Sequence, residues 1–192
     1  MTHTRNLLAL VAASLVATAS MAMQPAEYSA AKDRITADYK VNKQKCDALK
    51  ANAKDICMKE AKGHEKVAKA ELEAEYKPSD STQYKARVAK ADADYDVAKE
   101  RCDDQTGNAK DVCKKDAKAA HVSAVENAKV AKAQAQPANT AAEKGAAVSA
   151  ARKDAAAEKR EADYKAAKER CDAMSGDAKS KCVDDAKRMY AQ

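Results

Sequence analysis

The stretch ADYDVAKERCDDQTGNAKDVC, residues 93–113, decides how this chain is read, because two further versions of it follow the same grammar. They are ADYKVNKQKCDALKANAKDIC from Ala37 and ADYKAAKERCDAMSGDAKSKC from Ala162. Each version sets a tyrosine seven residues before a cysteine and a second cysteine eleven residues after the first, pairing Cys46 with Cys57, Cys102 with Cys113 and Cys171 with Cys182. Between the cysteines of the second version, Gly107 suits a left-handed position that stops one helix, Asn108 suits the cap of the next, and Asp111 falls in its first turn. Gly176 and Asp177 take the same roles in the third version. A helix therefore ends and another begins between the cysteines. On an antiparallel hairpin the two cysteines stand at nearly equal depth, and alanine-lined helices approach closely enough for the Cα separation of about 4.4 to 6.8 Å that a disulfide needs. One continuous helix would hold them about 16 Å apart.

The first version departs from this grammar, since Ala51 stands where the others have glycine. Two outcomes stay open for it: a hairpin bridged by Cys46 and Cys57, or a straight helix with both thiols on one face, available for bonds between chains.

Composition decides the fold class. After Ala22 the chain has two Leu, two Ile and ten Val, with seven Tyr and no Phe or Trp, so alanine supplies most of its apolar surface. Such a chain builds no conventional core. It does build helices, because Ala, Lys, Glu and Arg have high helix propensity and breakers are few. Strand patterns are absent. The expected fold is all-α: three tandem antiparallel, coiled-coil-like helical hairpins, over 24–77, 79–136 and 139–192, each closed by its Cys-x10-Cys bridge. Pro78 and Pro137 precede capping residues at the boundaries, and Thr140 with Glu143 makes a capping box. Within the second hairpin Tyr84, Val88, Ala91, Tyr95, Ala98, Cys102 and Gln105 recur at spacings of four and three, one stripe of a seam, answered by Cys113, Ala117, Ala120, Ala124 and Asn127.

The N-terminus sets the expected compartment. In MTHTRNLLALVAASLVATASMA, residues 1–22, one Arg precedes an apolar run and small residues Ser20 and Ala22 occupy the positions of a cleavage site, the pattern of a removed signal peptide. The run is too short to span a bilayer. An exported, periplasmic chain with an even set of six cysteines is expected to hold them as disulfides.

The same residues argue against chemistry. Ten intervening residues exceed the spacing of zinc-ligand pairs, and Cys-x-x-Cys redox and Cys-x-x-Cys-His haem motifs do not occur. His64 and His121 have no counterpart in the third version, which marks them as seam or solvated histidines. The aspartate of each Ala-Asp-Tyr is expected to be exposed. Neither catalytic, metal nor cofactor residues are assigned, and the chain is expected not to be an enzyme. With 36 Lys and Arg against 30 Asp and Glu alternating along the helices, the +6 balance is that of a solvated helix surface, not a nucleic-acid patch. Two roles remain: a structural or protein-interaction protein of the cell envelope, with Tyr39, Tyr95 and Tyr164 as a docking seam for another envelope protein or a second copy; or a periplasmic binder of anionic envelope components or metal ions.

Stretches such as AKGHEKVAKAELEAEYK and AAEKGAAVSAARKDAAAEKREADYKAAKERC resemble the helical middle region of TolA-type envelope proteins, and the chain is similar to exported Ala/Lys-rich helical proteins of Gram-negative bacteria with TolA-like composition. The resemblance implies periplasm and helix. It carries no functional residues, because the cleavable leader and the cysteine hairpin near the C-terminus are not features of TolA-type chains.

Overall fold

A computed structural model describes residues 23–191; the expected signal peptide, residues 1–22, lies outside them. Six helices follow one another: α1 Pro25–Cys46, α2 Ala51–Tyr76, α3 Asp80–Cys102, α4 Gly107–Ala135, α5 Ala141–Cys171 and α6 Gly176–Tyr190. No strand occurs among the described residues. The starts are built as their residues dictate: Ser79 caps α3 reciprocally with Thr82, and Thr140 caps α5 with Glu143. Pro25 opens α1, where its missing N–H costs nothing.

Each pair α1–α2, α3–α4 and α5–α6 is a hairpin closed by a disulfide: Cys46–Cys57, Cys102–Cys113 and Cys171–Cys182, with Cα separations of 5.5, 5.6 and 5.7 Å. The bridges close short loops in the unfolded chain, which is worth about 3 kcal/mol each on the chain-entropy account. Among the described residues, Cys46, Cys102 and Cys171 are the largest fully buried side chains.

The alternative left open for the first copy is resolved in favour of the intrachain bridge. Ala51 adopts φ 47°, the left-handed conformation that Gly107 and Gly176 reach at 58° and 57°. The turn is thus made without the glycine, against the Cβ sterics that disfavour this region for alanine. A second device recurs at every turn: the aspartate after the first cysteine pairs with the lysine three residues before the second, as Asp47–Lys54, Asp103–Lys110 and Asp172–Lys179 at 2.9, 2.9 and 2.8 Å. Asp103 also meets Lys114 at 2.8 Å.

Beyond the hairpins, α2 packs on α3 and α4 on α5, and every helix touches only its neighbours in chain order. The chain is therefore an open row of antiparallel helices. The burial pattern shows how flat the row is. On α2, Ala61 faces α1 while Gly63 meets Ala93 of α3, and two residues along a helix turn through about 200°. On α3, Ala93 faces α2 while Ala91 faces α4. On α4, Ala117 faces α3, and the equally buried Ala119 lies two residues on. Interior helices thus bury opposite sides, and the apolar contacts are made almost entirely by alanine, glycine and cystine. At the far end of α1–α2 the aromatic rings of Tyr28 and Tyr76 stack at 4.3 Å, and the Tyr28 hydroxyl donates to Glu73 at 2.7 Å. That bond raises the Tyr28 pKa and lowers that of Glu73, since it favours phenol and carboxylate together.

The turns can be tested one residue at a time. Ala51→Gly relieves the left-handed alanine and is expected to stabilise the first hairpin by about 1 kcal/mol, whereas Gly107→Ala costs a similar amount; thermal denaturation of the oxidised protein checks both signs. Hydrogen bonds from Lys114 and Lys110 hold Asp103 down to about 2, below the usual carboxylate value. A depressed folded-state pKa contributes stability present above the unfolded value and lost as pH falls through the folded one. Asp103→Asn is therefore expected to reduce the fall in melting temperature between about pH 4 and pH 2, and salt to shrink the difference, because the group is exposed.

Candidate interaction surface

Of the seam tyrosines, Tyr95 makes ring contacts within the chain. Tyr95 of α3 lies half-buried against His121 of α4, ring centroids 4.8 Å apart, with the ammonium groups of Lys99 and Lys118 5.0 and 5.4 Å from its centre. His121 Nε2 lies 2.6 Å from the Asp92 carboxylate, and Nδ1 is buried without a partner among the described residues. Beside it runs a groove of about 210 Å³ lined by Asp94, Tyr95, His121 and alanines. The equivalent groove in the first hairpin, also about 210 Å³, is lined by Asp38, Tyr39, Asn42 and His64. Tyr164 is half-buried on α5. The aspartates Asp38, Asp94 and Asp163 are exposed, as expected for the position before each tyrosine.

The joints between hairpins use a second residue set that spacing alone did not single out. Asn52, near the start of α2, donates its amide to the Glu100 carbonyl at 3.0 Å, and Asn108, near the start of α4, donates to the Glu169 carbonyl at 3.0 Å. Each asparagine thereby satisfies a C-terminal carbonyl of the first helix of the next hairpin. Here the expectation for Asn108 is corrected: the cap of α4 is Thr106, and the Asn108 side chain reaches across to α5. Charges repeat alongside. Lys59 pairs with Glu100 at 3.7 Å and Lys115 with Glu169 at 3.8 Å; Arg101 meets Glu60, and Arg170 meets Asp116. A methyl group added at Gly63 would come 2.9 Å from Ala93 Cβ, so the first joint requires glycine at its closest point.

The third hairpin carries a different set at the same places. Counted from the second cysteine, Asp177 replaces Asn52 and Asn108, Asp184 replaces Lys59 and Lys115, and Arg188 replaces Gly63 and Ala119. None of these would complete the joint. Asp177 has no amide to donate, Asp184 reverses a charge, and Arg188 fills the point of closest approach.

The layer also exposes grooves between its helices. One of about 650 Å³ runs along the first joint, between α2 and α3, and mixes Glu60, His64, Asp94 and Arg101 with apolar atoms. On the last hairpin a cleft of about 570 Å³ runs along the Cys171–Cys182 bridge, with Met174 and Met189 47% and 74% exposed. Glu126 is the one charged side chain among the described residues that is buried, at 5% exposure, and Lys129 answers it at 2.6 Å. Their hydrogen bond raises the Lys129 pKa. No group of three or more His, Cys, Asp or Glu among the described residues is placed to share a metal ion, and no helix among them is long and apolar enough to cross a membrane.

Asn108→Asp tests the joint. It removes the donor to Glu169 and sets a carboxylate against the negative end of α5, an expected loss of about 1–2 kcal/mol. At this chain length that lowers the melting temperature by several degrees. Asp177→Asn, the reciprocal change on the free edge, is expected to leave it unchanged. Comparisons of the chain with protein-family models, with curated proteins and with solved structures found no match.

Proposed function

We propose that this chain is a non-enzymatic, exported helical-repeat protein with a structural or protein-interaction role in the cell envelope. The observation that supports it is the open row itself. Packing and joints use opposite sides of each interior helix, which leaves two extended faces with repeated grooves between neighbouring helices. Extended repeat surfaces of this kind suit binding to long or repetitive partners. The three disulfides favour an oxidising compartment, in keeping with the leader-like N-terminus read from the sequence.

Cross-linked capture from a native envelope fraction, washed at low and then high ionic strength, tests the role. A defined envelope protein retained at high salt is the expected result. Recovery of anionic polymers or lipids alone, released by salt, would replace it with the electrostatic-binder reading. Accumulation of the chain in the cytoplasm with free thiols would overturn export.

A further inference from the structure

We propose that α1 is a self-association edge, on which a second copy of the chain docks through its own α1, antiparallel and about a two-fold axis near Ala37. The second copy is one partner for the interaction role proposed above, and the dimer rests on that role. A monomeric protein in the experiment below would remove this partner and leave envelope capture untouched.

The outer flank of α1 carries the residues that α3 and α5 bury in the joints. Nine residues before the first cysteine each hairpin has alanine: Ala37, Ala93 and Ala162. Five residues before it stand Val41, Val97 and Ala166. Ala93, against Gly63 of the preceding hairpin, is 8% exposed and Ala166 2% exposed, while Val97 and Ala162 are half-buried. On α1, which among the described residues packs on α2 alone, Ala37 is exposed and Val41 is 50% exposed. Ala30 and Gln44, seven residues to either side of Ala37, extend the same exposed stripe. The edge therefore has the small-residue surface of a joint, and no hairpin among the described residues covers it.

The occupant follows from charge and shape. A head-to-tail array would bring α6 of another copy against this edge, but Asp177, Asp184 and Arg188 are the residues that fail to make a joint. A second α1 is self-complementary. In an antiparallel pair crossing at Ala37, Asp33 lies four residues before the crossing and Lys40 three after it, on the same flank of the stripe. Each Asp33 then comes opposite the partner's Lys40, and the two-fold axis makes the pair twice. On the other flank Glu27 and Lys45, ten residues before Ala37 and eight after it, repeat the arrangement. Asp33 and Lys40 are exposed, and neither takes part in an ion pair within the chain among the described residues. Antiparallel packing through alanine is also how the joints of this chain are made.

Sedimentation equilibrium of the oxidised protein over a concentration series is expected to show a monomer–dimer equilibrium that stops at the dimer. Ala37→Glu, which sets two like charges at the axis, is expected to give a monomer with unchanged helicity and the melting temperature that the wild type shows at high dilution, where it too is monomeric. Asp33→Lys is expected to weaken the dimer roughly tenfold or more, and Asp33→Lys with Lys40→Asp to restore it, since exchange rebuilds both pairs. A wild-type protein monomeric throughout, a dimer indifferent to Ala37→Glu, or a double variant no better than Asp33→Lys would each overturn the proposal. Mass rising beyond the dimer would overturn it in favour of head-to-tail growth.

Discussion

Alanine holds two helices together only where their backbones nearly touch. A methyl group offers little apolar area, so the attraction comes from close packing along the whole length of the contact. Gly63 against Ala93 is the extreme case, with no room for one more carbon. The rest of the architecture follows from this constraint. Large side chains on an interior side would push neighbours apart, and the described core is accordingly alanine and cystine with Leu72 as its one larger aliphatic member.

A contact so poor in apolar area needs its geometry imposed by other means. The disulfide and the aspartate–lysine pair at each turn hold the two helices of a hairpin at a common depth. At the joints an asparagine amide and two charge pairs set the register between hairpins. These polar ties are modest one by one, being exposed or only part-buried. Their value lies in register: alanine faces are nearly featureless, so sliding by a turn would cost little if nothing marked the place.

The same constraint gives the molecule its surface. A row held together along opposite sides of its helices has two broad faces and two edges, and the edges differ. The α6 edge carries Asp177, Asp184 and Arg188, residues that refuse another hairpin. The α1 edge carries Ala37 and Val41, residues that elsewhere in the chain accept one. Direction is thus built into the row, and the interaction role proposed for it draws on surface and edge in place of an enclosed site.

Much of this was legible in the residues. Helix follows from propensity and the absence of strand patterns, and the hairpins and their bridges from the glycine-centred turns at Cys102–Cys113 and Cys171–Cys182, because these are local effects read over a dozen residues. The seam through Ala91, Tyr95 and Cys102 was legible for the same reason. The Ala51 turn was not, since an alanine forced to φ 47° is held there by the bridge and the flanking helices, not by its own preference. Nor were the joints. Asn52 and Asn108 look like ordinary caps of their own helices, and their acceptors, Glu100 and Glu169, lie 48 and 61 residues away. Ala93 and Ala119 sit off the seam stripe, so the spacing within one hairpin does not show that they are buried. The sequence by itself determined helices, turns and staples, whose physics is local; only the tertiary structure decided that the hairpins join side by side and that Asn108 belongs to its neighbour, because the energies that choose those contacts are small, long-range in sequence and visible only when the helices meet.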